Sequence, residues 1–66
     1  MIHTRVLVVD PSGDVRALVR HVLANEAGFE LVCSVNTGRT ALARVSQVDP
    51  DVILAASGLA DLSVAE

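Results

Sequence analysis

Apolar residues recur along this chain in two rhythms, and each rhythm predicts a different element. Val6-Leu7-Val8-Val9 is a continuous, mostly β-branched run between Arg5 and the turn-like Asp10-Pro11-Ser12-Gly13. Such a run reads as a strand buried on both faces, as in parallel sheets. Val15, Leu18, Val19, Val22 and Leu23 then fall at the spacing of one helix face, with Arg16, Arg20 and His21 off the stripe. Ser12 suits the N-cap, Asp14 the first turn and Gly28 the stop. Phe29 to Val35, centred on Leu31-Val32-Cys33, reads as a second strand. Asn36-Thr37-Gly38 is a turn in which Thr37 caps a second helix, with Ala41, Leu42, Val45 and Val48 as its stripe. Asp49-Pro50 ends that helix, because a residue before proline avoids the α region. Val52 to Ala56 reads as a third buried strand, Ser57-Gly58 as a loop, and Leu59 to Glu66 as the opening of a third helix.

The order is therefore β-α-β-α-β with short connections. It predicts an α/β fold: a parallel sheet, right-handed crossovers and helices on both faces. The 66 residues suffice for one small domain or part of one. No repeat, linker or low-complexity segment interrupts them. A hydrophobic fraction of 52% excludes a disordered chain. The formal net charge is −3, and the five basic residues, Arg5, Arg16, Arg20, Arg39 and Arg44, are scattered with no aromatic residue among them. That leaves no electrostatic footprint for nucleic acid. No apolar run approaches the roughly 20 residues that span a bilayer, so no membrane partner is expected. Met1-Ile2-His3-Thr4-Arg5 leads straight into the first strand without a signal-peptide pattern. The single cysteine, Cys33, rules out an internal disulfide and suits a cytoplasmic location. No Cys and His cluster suggests a structural zinc.

Three segments carry a resemblance to a known family. Arg5-Val6-Leu7-Val8-Val9-Asp10-Pro11-Ser12 resembles the opening of response-regulator receiver domains, usually RVLVVDDS. Phe29-Glu30-Leu31-Val32, followed by Asn36-Thr37-Gly38-Arg39-Thr40-Ala41-Leu42, is similar to the family's second strand and the start of its second helix. Asp49-Pro50-Asp51-Val52-Ile53-Leu54 is similar to the PDVVLLD of the phosphoacceptor strand. The segments stand in the family's order and cover almost the whole chain, which is read as one unit over residues 1–66, a truncated receiver-like domain.

The resemblance implies a flavodoxin-like half-fold with strand order 2-1-3 and a role in two-component signalling, with a histidine kinase as partner. In the family an aspartate after the third strand accepts a phosphoryl group beside Mg²⁺, which two acids after the first strand hold. Here Asp10 matches the first acid, but Pro11 stands at the second. The phosphoacceptor position falls on Ala56. The chain contains no lysine, so the family's sensing lysine is missing too. Phosphorylation is not expected, and neither are a cofactor, a metal or an enzymatic activity, since no nucleophile–base pair or paired acids stand in a plausible site.

Several residues have a bland reading beside the sharp one. Asp10, a vestigial acidic site, is also a carboxylate suited to capping the turn after a strand. Asp14 as a substitute acid competes with a simpler role at a helix N-terminus. Ser57 as a slipped acceptor has no base or metal to activate it. His3 and His21 read as solvated, and Cys33 as a small buried hydrophobe. Asp10-Pro11-Ser12-Gly13 also lies where nucleotide-binding loops lie, but it matches neither dinucleotide nor P-loop fingerprints, leaving a Rossmann-like half-domain as a poor second.

In the family topology the third strand is internal. Val52, Ile53, Leu54, Ala55 and Ala56 are thus expected at an exposed apolar edge that invites pairing with another chain. One sheet face also lacks a helix. Completion by a second copy, by a complementing polypeptide or by a downstream segment is expected. The last case would make this the N-terminal part of a regulator with a DNA-binding or methylesterase effector.

Overall fold

A computed structural model describes residues 3–56. The loop expected at Ser57-Gly58 and the helix expected from Leu59 lie outside the described residues. The elements are β1 (Thr4–Val9), α1 (Gly13–Ala24), β2 (Phe29–Val35), α2 (Gly38–Val48) and β3 (Val52–Ala55). The strands form one parallel sheet ordered β2-β1-β3, the order expected of a flavodoxin-like half-fold.

β1 is the central strand and is covered on both faces. Val6, Leu7, Val8 and Val9 are each no more than 2% exposed. Leu7 and Val9 face α2 and form a core with Val35 and Ala41, against which Cys33, Val45, Val48 and Ala56 pack. The alternate residues Val6 and Val8 face the other side of the sheet, where α1 lies. The helices therefore cover opposite faces, and the apolar run of β1 is explained by burial on both.

The expectation of a buried strand fails for β3, which is exposed along its length. β3 packs on β1 and on no other described element. Its apolar run suits a fully covered strand, but the described residues cover only one edge. The α1 stripe is corrected for a related reason. Val19 and Leu23 are half-buried, whereas Val15, Leu18 and Val22 are exposed. The helix sits over β1 and β2, so its third apolar flank faces the open space above β3. In α2, Gly38 and Ala41 are buried and Val45 and Val48 half-buried, but Leu42 is 65% exposed and leaves the predicted stripe.

Capping follows the sequence at three ends of four. Ser12 Oγ accepts the Val15 N–H at 3.2 Å, and Thr37 Oγ1 accepts the Thr40 N–H at 3.1 Å. Asp49 closes α2 in the left-handed region, φ 48°, where its N–H still reaches the Val45 carbonyl at 2.9 Å. Pro50 bars that residue from the right-handed helical region. The exception is α1, which ends at Asn25 rather than Gly28. Asn25 supplies its own cap, donating from Nδ2 to the His21 carbonyl at 2.8 Å. Gly28 serves the next turn instead: at φ +91° it directs its carbonyl to the Thr4 N–H, 2.7 Å, where β1 and β2 begin to pair. Val6 then pairs with Leu31 and Leu7 with Cys33, so Val32 is an extra residue in β2.

Candidate functional site

In a parallel α/β sheet, ligands bind beyond the carboxyl ends of the strands. Here that end is built from the residue after β1 and the residue after β3. Asp10 is half-buried and continues the ladder, donating its N–H to the Val35 carbonyl at 3.1 Å. Its Oδ1 accepts the Ser12 N–H at 2.9 Å, which makes Asp10-Pro11-Ser12 an Asx turn. The Asp10 carbonyl accepts Arg16 Nε at 3.0 Å, so the turn is tied to the first turns of α1. Pro11 is exposed and offers no ligand.

Ala56 continues β3 by one residue, donating its N–H to the Val9 carbonyl at 3.0 Å. It is half-buried. Asp10 and Ala56 line one groove of about 200 Å³ together with Val8, Val15, Val19, Leu54 and Ala55. The fold thus brings together the two positions that sequence reading singled out. What stands between them is a carboxylate, one oxygen of which accepts a backbone N–H, and a methyl group. Mg²⁺ takes several oxygen ligands in near-octahedral geometry. Among the described residues no three His, Cys, Asp or Glu side chains stand together for a metal. These residues do not fit the Mg²⁺ that the receiver resemblance implies.

The other candidates lie apart. Asp14 is exposed in the first turn of α1, His3 precedes β1 at the surface, and His21 is exposed in the last turn of α1. Cys33 is half-buried and packs against the core on the α2 face. Ser57 lies outside the described residues. Val52, Ile53, Leu54 and Ala55 are all exposed on β3.

Sequence reading passed over Arg5, which the structure places at a junction at the opposite end of the sheet. Its backbone N–H donates to Asp51 Oδ2 at 2.9 Å, and the Asp51 N–H donates back to the Arg5 carbonyl at 2.8 Å. Its guanidinium donates to the Val48 carbonyl and, at 3.3 Å, to the Asp49 carbonyl. Glu30 lies 3.7 Å away on β2. A cation against the last carbonyls of α2 offsets the negative end of the helix dipole. One side chain therefore links β1, β2, the end of α2 and the entry to β3. An arginine directly before the apolar run of β1 was the available signal, but its hydrogen-bond partners are over 40 residues away in sequence.

Comparison with known proteins adds a direction. The chain is 44% identical over 50 residues to protein-glutamate methylesterase/protein-glutamine glutaminase 1 of Paramagnetospirillum magneticum, a match covering 76% of this chain and 13% of that protein. It is 38% identical over 50 residues to a protein of the same description from Trichodesmium erythraeum, covering 76% of this chain and 14% of that one. Number 5 of that description from Myxococcus xanthus is 43% identical over 49 residues, covering 74% and 14%. The matches thus span about one seventh of the length of these curated relatives. No family model matches the chain, and no solved structure does. Among the described residues no helix is long and apolar enough to cross a membrane.

Proposed function

We propose that this chain is a receiver-like module of two-component, phosphorelay-type signal transduction that takes no phosphoryl group and acts by binding another polypeptide. The observation that carries the reading is the pair Asp10 and Ala56 at the mouth of one groove, on a parallel sheet ordered β2-β1-β3. The scaffold and the first acid are those of a receiver. The acceptor position holds a methyl group with no lone pair to attack phosphorus, and Pro11 supplies no second acid. The reading assigns the chain no catalysis and no cofactor. It places the module in the cytoplasm, where a lone Cys33 remains a thiol. A histidine kinase or another signalling protein is the expected partner, and nucleic acid is not.

The test is direct. Incubation with acetyl phosphate and Mg²⁺, followed by intact mass measurement, is expected to leave the mass unchanged. A stoichiometric phosphoryl adduct overturns the reading.

A second reading is favoured by the relatives. They are described as methylesterases and glutaminases, and this chain matches only about one seventh of each. On that reading these residues are the receiver-like front of a regulator with a methylesterase effector. Reading the transcript beyond the codon for Glu66 separates the two: an in-frame effector supports the second, and a stop codon removes it.

A further inference from the structure

We draw no further inference here: the strongest candidate, the apolar flank of α1 formed by the exposed Val15, Leu18 and Val22, carries nothing, because nothing in the structure shows what covers it.

Discussion

Arg5 shows how much one side chain decides at the residue scale. It satisfies two carbonyls at the end of α2 and engages Asp51 through its backbone, while Glu30 lies nearby. Hydrogen bonds from a charged donor contribute about 1.5–3 kcal/mol when buried. The Arg5 side chain is 41% exposed, so solvent screening reduces its share. Arg5→Met is expected to lower stability by about 1 kcal/mol, read as a shift in urea midpoint at fixed protein concentration. Adding salt recovers little of that loss if carbonyl capping dominates, and closes much of the gap between the two proteins if the Glu30 pair dominates. At the other end of the sheet, Asp10→Ala frees the Ser12 N–H and removes an acceptor, at an expected cost of about 1 kcal/mol. Because no other acidic residue lines the groove among the described residues, that variant is also expected to leave Mg²⁺ binding unchanged by calorimetry.

Elements form here by agreement between local signals and burial, and they are corrected where burial is missing. Both N-caps are hydroxyl residues whose oxygens accept an amide three residues on, so Ser12→Ala and Thr37→Ala are each expected to cost about 1 kcal/mol. The apolar stripe of α1 was legible as helical, yet its width was misleading. Val15, Leu18 and Val22 belong to a stripe that the described residues cover only in part. Leu18→Gln is therefore expected to change stability by no more than about 0.5 kcal/mol, whereas Leu7→Ala, in the middle of β1, costs about 2–5 kcal/mol. Thermal or urea unfolding of the two variants side by side checks the contrast. Equal losses would mean that α1 has a cover on its outer face. The end of α1 was misplaced for a comparable reason. Gly28 carries the left-handed conformation that often stops a helix, but Asn25 reaches the His21 carbonyl first.

Among the described residues, the whole molecule is a sheet whose β2 edge carries a charge and a bulge and whose β3 edge is uncovered, and the groove at its carboxyl end is lined by one carboxylate, Asp10. A bare apolar edge associates unless something covers it. Protein concentration is the variable that tests this edge: pairing of β3 between folded chains would raise the urea midpoint from about 1 μM to about 100 μM by mass action. A midpoint unchanged over that range means that the edge stays unpaired between chains.

The alternation of apolar runs and stripes determined the element order, because strand and helix periods differ and each connection is too short for another topology. It also determined that Ala56 stands where the resemblance expects an acceptor, since that is a matter of residue type alone. Sequence could not decide which apolar residues are covered. Val8 and Leu54 are equally apolar, yet one is sealed between two strands and a helix and the other lies open on an edge. Burial depends on neighbours distant in the chain. Only the tertiary structure put β1 between β2 and β3, brought Asp10 and Ala56 to one groove, and carried Arg5 to the end of α2.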